Sequence, residues 1–164
     1  MACRAVHFAI PSNVVDKLLT AKGDEEVLEI VVENVEEQWD EDWLHQTDKS
    51  WDAMHRCLTN GRLDVGGSWN PLGAAVLGGI QLHKNDSWII SLVRPEQVAE
   101  VANALASINE MEMRKRYDRI DAADYDGEIG EDDWEYTWSY FQGLPGLFQK
   151  AAESGRGIVF SVDQ

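Results

Sequence analysis

Cysteine is nearly absent: Cys3 and Cys57 are the two in the chain, far apart and outside any Cys-x-x-Cys pair. No disulfide framework is implied, and two idle thiols in a reducing compartment are the expectation. Long apolar runs are also missing. No stretch approaches the roughly 18 apolar residues of a membrane helix. The N-terminal Met1-Ala2-Cys3-Arg4 leads into a short apolar stretch that soon meets His7, Pro11 and Asp16, without a signal-peptide hydrophobic region. A cytoplasmic location is expected. Basic residues are few, 14 against 30 acidic ones, for a formal net charge of −16. Such a chain repels nucleic acid and anionic membrane surfaces, both polyanions, and attracts basic proteins. Solubility alone is the plainer reading of the same charge.

The usual chemical signatures are missing as well. His7, His45, His55 and His83 have no zinc spacing, and there is no H-E-x-x-H. No G-x-S-x-G elbow, P-loop or dinucleotide fingerprint occurs. Asp124-Tyr125-Asp126-Gly127 approaches a calcium loop. The template's first position falls on Ala122, however, and its twelfth on Asp133 in place of Glu. A solvated acidic loop over 121–133 is the better reading. No metal, cofactor or internal repeat is expected.

What is present is an ordinary globular share of hydrophobic residues, 44% of 164. One domain over 1–164 follows, of a size that buries roughly 70% of its unfolded surface. Alternation over 4–10, with Val6, Phe8 and Ile10 on one face, predicts a strand ended by Pro11. Ser12 is expected to cap a short helix closed by Gly23, and Asp24 to open a second helix carrying Val27, Leu28, Val31, Val35 and Trp39. Asp48 is expected to cap a third, with Trp51, Met54, His55 and Leu58 in one stripe and a stop at Asn60-Gly61. Residues 61–73 read as loop, and 72–77 as a short helix ended by Gly78-Gly79. The β-rich run 88–93, apolar on both faces, predicts an interior strand. Pro95 opens a helix with Val98, Val101, Ala102, Leu105 and Ile108 inward. Asn109 and Glu112 form a capping pair for the next, where Glu112 and Arg116 stand four apart. Trp134, Trp138, Phe141, Phe148 and Ala152 keep one stripe across Gly143-Leu144-Pro145-Gly146, which favours a kinked helix over two unrelated ones. Strand 158–162 ends the chain. The class is α+β: a small sheet with strands near 4–10, 88–93 and 158–162, packed with several helices.

Three stretches carry a family resemblance: Lys49-Ser50-Trp51-Asp52-Ala53-Met54-His55-Arg56-Cys57-Leu58-Thr59, then Asn70-Pro71-Leu72-Gly73-Ala74-Ala75-Val76-Leu77-Gly78, then the Tyr140-Phe141 helix followed by Gly155-Arg156-Gly157-Ile158-Val159. In that order the chain resembles the YfbM-like family, a bacterial domain of unknown function, over essentially its whole length. The resemblance implies a compact α+β fold and no catalytic residue. It also marks 143–146 as a departure, since family members usually carry that helix smoothly.

Two constellations could carry chemistry. Asp52 precedes His55 by three residues on the third helix, and a carboxylate beside an imidazole can fix its tautomer for acid–base work. The plainer reading has His55 packed beside Trp51, with Asp52 holding its N–H. Trp69 and Asn70 could place an indole and an amide at a pocket mouth, against plain helix capping by Asn70 and Pro71. Glu36, Glu37, Asp40, Glu41 and Asp42 form a dense negative patch around Trp39 and Trp43. Both indoles could anchor a partner, although Trp39 also fits the core stripe. Two functions compete: an acidic protein-interaction domain, such as an immunity-type antagonist of a basic partner, or a small-molecule-binding or hydrolytic domain with a pocket near Asp52, His55 and Asn70. A flat acidic face with an exposed Trp would favour the first. His55 lining a cleft would favour the second.

Overall fold

Apolar residues on both sides of the same strands demand cover on both sides of the sheet, and the fold supplies it. The structure, a computed structural model, describes residues 3–63 and 68–164. The expected loop over 61–73 is described apart from 64–67. Five strands among the described residues form one antiparallel sheet in the order β2-β1-β5-β4-β3. They are β1 (Ala5–Ile10), β2 (Leu44–Asp48), β3 (Ile80–Gln81), β4 (Trp88–Val93) and β5 (Gly157–Asp163). The three expected strands are the central ones, β1, β5 and β4.

Phe8, Ile10, Ile90, Leu92 and Val159 point to one face. They pack beneath α1 (Ser12–Thr20), α2 (Asp24–Val31) and the π-helical turn Val32–Glu36 that prolongs α2. Ala5, Ala9, Val93, Ile158, Phe160 and Val162 point to the other. That face is covered by α3 (Trp51–Leu58), α4 (Pro71–Leu77), α5 (Pro95–Ala106), α6 (Glu110–Tyr117), α7 (Glu131–Phe141) and α8 (Leu144–Glu153). Val98, Val101 and Leu105 line the inner face of α5, as their spacing requires. Asn109 caps α6, its Oδ1 accepting from the Glu112 N–H at 2.8 Å.

The edge strands were the expectation's main omission. β2 is Leu-His-Gln-Thr-Asp, too polar to stand out as β-rich. Asp48 therefore ends a strand and does not cap α3; Ser50 precedes that helix. The β1–β2 register slips between Ala5 and Val6, leaving Thr47 as the extra residue of a bulge, and Asp48 takes a positive φ of 46°. Its carboxylate accepts from the Tyr136 hydroxyl at 2.8 Å. Pro11, not Ser12, occupies the cap position of α1, which ends at Thr20; Gly23, at φ 94°, introduces α2.

The expected kinked helix over 134–152 is two helices. Gln142 and Gly143 keep helical dihedrals but join separate segments. Pro145 lies in the first turn of α8, where its missing N–H costs nothing. Gly143 answers a steric demand: a Cβ there would sit 2.7 Å from Nδ1 of His45. The His45 ring reaches this close because its Nε2–H donates to the Tyr140 carbonyl at 2.6 Å.

His7 stands wholly buried between Phe160 and Phe148. Its Nε2–H donates to the Ala75 carbonyl at 2.9 Å, tying β1 to α4. Burial, with a smaller contribution from His45, lowers its pKa to about 3 against the bond to Ala75. The folded state thus refuses a proton that the unfolded chain accepts below pH 6.5. Stability from this group is intact above that pH and is lost as the pH falls toward the folded value. Between pH 6.5 and 5 the loss should be about 2 kcal/mol, roughly 1.4 kcal/mol per unit. Urea denaturation at several pH values should show this slope in the wild type and a shallower one in His7→Gln, where His45, its pKa also lowered by burial, still contributes.

Trp51 is buried against Phe160, its Nε1–H donating to the Cys3 carbonyl at 3.3 Å. Trp51→Ala should cost about 3–5 kcal/mol in the same assay.

Candidate functional site

The C-terminal end of α3 and the length of α4 face the beginning of α5 across an open cleft of about 630 Å³. The volume lies within the range of ordinary small-molecule sites, roughly 300–1,000 Å³. His55 comes from α3 and Thr59 from its C-cap, Gly73, Ala74 and Leu77 from α4. Ile80 and Gln81 of β3, with Arg94, Glu96 and Gln97 around the start of α5, complete the opposite wall.

Asn70 and Trp69, both exposed, are also among its lining residues. Asn70 is the N-cap of α4, its Oδ1 accepting from the Leu72 N–H at 3.1 Å. Capping is thus observed, and it does not use up the side chain, because a capping Oδ1 leaves the Nδ2 donors of the same amide. Trp69 is 38% exposed, and its indole N–H donates to Glu100 Oε2 at 3.1 Å. The ring rests on Gly79, where a Cβ would come 3.0 Å from Cζ3. Gly78, at φ 68°, ends α4 where a side chain would meet Ser91 at 2.6 Å. Gly78 thus lets the end of α4 pass close to β4, and Gly79 leaves room for the indole.

The expected Asp52–His55 partnership does not form. Asp52 accepts from Nε of Arg56, four residues on, the other favourable helical spacing. Arg56 is 3% exposed, and its Nη1 donates to Asp124 at 2.7 Å while its guanidinium lies over the Tyr125 ring at 5.3 Å. Burial opposes the charge, but the two carboxylates outweigh it and raise its pKa. The Arg56 bond holds the Asp124 carboxyl below its ordinary value. The segment that approached a calcium loop is therefore a clamp on α3, and the described residues hold no group of three or more His, Cys, Asp or Glu placed for a metal. Arg56 was the functional-looking charge overlooked in the sequence; its i, i+4 spacing to Asp52 was the available signal. His55 is 2% exposed and closes the inner wall of the cleft. Burial pushes the Cys57 thiol up to about 12, which removes it as a nucleophile.

The acidic patch divides. Glu36 is drawn to the sheet and accepts from Ser161 Oγ at 2.9 Å. Glu37, Asp40, Glu41 and Asp42 remain exposed. Trp39 does not join the core stripe: at φ 38° it leaves the helical path and stands 42% exposed, edge-on to Phe8. Trp43 is no exposed anchor, since Arg156 and Lys150 lie over its ring at 3.7 and 4.3 Å.

The family model for a domain of unknown function, DUF1877, matches residues 1–161. The chain belongs to that family. A solved structure described as a protein of unknown function, YfbM from Escherichia coli, superposes with a TM-score of 0.71 at 20% identity, covering 99% of each chain. That likeness carries the fold alone. No curated protein matches. The resemblance to the YfbM-like family is thus upheld, and no helix among the described residues is long and apolar enough to cross a membrane.

Arg56→Ala would leave Asp52 and Asp124 facing each other without their cation. It should destabilise the fold by roughly 3 kcal/mol, whereas Arg62→Ala, at an exposed pair with Asp121, should change stability by less than about 1 kcal/mol. Denaturant midpoints of the two variants check this.

Proposed function

We propose that this domain binds a small polar ligand in the cleft between α3, α4 and the start of α5. One observation carries the reading: His55, Trp69 and Asn70, far apart in the first two cases along the chain, line the same 630 Å³ cleft. Binding is favoured over hydrolysis because Asp52 is committed to Arg56, so the acid–base pair that hydrolysis would have used is not assembled.

A second reading rests on Trp39. It is a large apolar side chain 42% exposed, bordered by Glu37, Asp40, Glu41 and Asp42. An exposed aromatic among carboxylates suits a basic protein partner, and the net charge of −16 would speed the encounter. Neutralising those four acids should then slow association and flatten its salt dependence; an on-rate indifferent to both would end this second reading.

The cleft is tested by thermal melting against a library of metabolites. A ligand present at 100 times its Kd adds about 2.7 kcal/mol, or roughly 5–10 °C for a chain of this size. The shift should shrink markedly in Gln97→Trp, which intrudes on the cleft from a partly exposed position. Shifts that survive undiminished in that variant would place binding elsewhere.

A further inference from the structure

We infer that the cleft takes an uncharged, hydroxyl-rich ligand: a saccharide whose ring stacks on Trp69 and whose hydroxyls meet the surrounding amides. This rests on the cleft being a binding site.

Charge narrows the class first. The charged side chains lining the cleft among the described residues are Arg94 and Glu96, which face each other at 4.0 Å. An anionic ligand would compete with Glu96 for Arg94 and would approach through the field of a chain with net charge −16. A cationic ligand would meet Arg94, while the nearby Glu100 already accepts from Trp69. Neutral polar groups dominate the remainder.

Those groups are amides with capacity left over. Asn70 uses its Oδ1 on the helix cap, leaving Nδ2. Gln81 donates from Nε2 to the Leu77 carbonyl, leaving Oε1. The side chain of Gln97 makes no hydrogen bond among the described residues, and its Oε1 lies by Gly79 close to the indole. A sugar hydroxyl both donates and accepts, so it can use either kind of remaining amide position. The three amides come from three different elements, α4's cap, β3 and α5. All three line the cleft. Donors and acceptors offered from separate elements suit hydroxyls distributed around a ring, each of which can donate or accept.

Trp69 supplies the apolar contact. Its N–H is held by Glu100 and its ring is seated on Gly79, so the indole is oriented before the ligand arrives. A pyranose presents a face of C–H groups that can cover such a ring while its hydroxyls stay at the rim. The preset ring reduces the ordering cost of binding.

The test is calorimetric titration of the full chain with neutral trisaccharides of glucose, galactose or N-acetylglucosamine, and in parallel with adenosine and ADP. At least one trisaccharide should bind. Trp69→Ala should weaken it roughly tenfold, and Gln97→Ala should weaken it several-fold. Both side chains lie outside the buried core, and thermal melts will verify that the variants remain folded. Failure of every trisaccharide, or affinity unchanged in both variants, overturns the saccharide assignment. Adenosine or ADP binding that is lost in Trp69→Ala overturns the assignment while leaving the cleft as the binding site. Adenosine or ADP binding insensitive to both variants, with every trisaccharide silent, overturns the assignment and the cleft together.

Discussion

Everything in this fold is referenced to a strand that is covered on both faces. β5 occupies the middle of the sheet, and Gly157 to Val162 are all buried. Such a strand cannot rest on one helical layer. Its Val159 belongs to the layer under α1 and α2, while Ile158, Phe160 and Val162 belong to the larger layer on the opposite side. The two layers therefore meet through the sheet, and a shift in one is felt in the other because packed interiors have little slack. His7 illustrates the coupling: a β1 side chain buried against Phe160 and Phe148 that bonds the backbone of α4. α4 is also one wall of the cleft, so the site is mounted on the core.

Charge is handled differently inside the molecule and on its surface. The few cations near the core are each held by several groups: Arg56 by Asp52, Asp124 and the Tyr125 ring, Arg156 by the Ala9 carbonyl and the Trp43 ring. Most acids stay in water, where their mutual repulsion is screened and contributes to solubility. The strong negative balance thus has a structural counterpart inside, a small set of arginines that fasten loops and strands. Among its described lining residues the cleft carries one exposed ion pair, Arg94 with Glu96, beside the amides of Asn60, Asn70, Gln81 and Gln97.

What could be read in advance followed physical signal strength. β1, β4 and β5 were legible because alternation or dense β-branched composition marks a buried strand. The α4 and α6 caps were legible because Asn70 and Asn109 precede helices in the required position. β2 was hidden by its polarity, and β3 by its two-residue length. Trp39 misled because helical spacing continued to it, while the helical turn ended at Glu36 and the backbone at Trp39 itself took a positive φ of 38°. The choice of Asp52's partner could not be decided by spacing, since i+3 and i+4 are both within reach; the guanidinium won with a second carboxylate from the loop beyond α6. Trp69 and Asn70 were singled out as a possible pocket mouth, but the opposing wall, Gln81 and Gln97, comes from distant segments that no local pattern connects.

Ligand recognition by the cleft, as proposed, can be distinguished directly from recognition by the acidic face. The seven tryptophans give each surface its own reporter, because Trp69 stands at the cleft and Trp39 amid the acids. Nitrogen–proton correlation spectra of the indole groups, assigned by single substitutions, can be followed while the low-molecular-weight fraction of a bacterial extract is titrated in. The Trp69 signal should move saturably while the Trp39 signal stays in place. A Trp69 signal that never moves, whether or not Trp39 responds, would contradict the account.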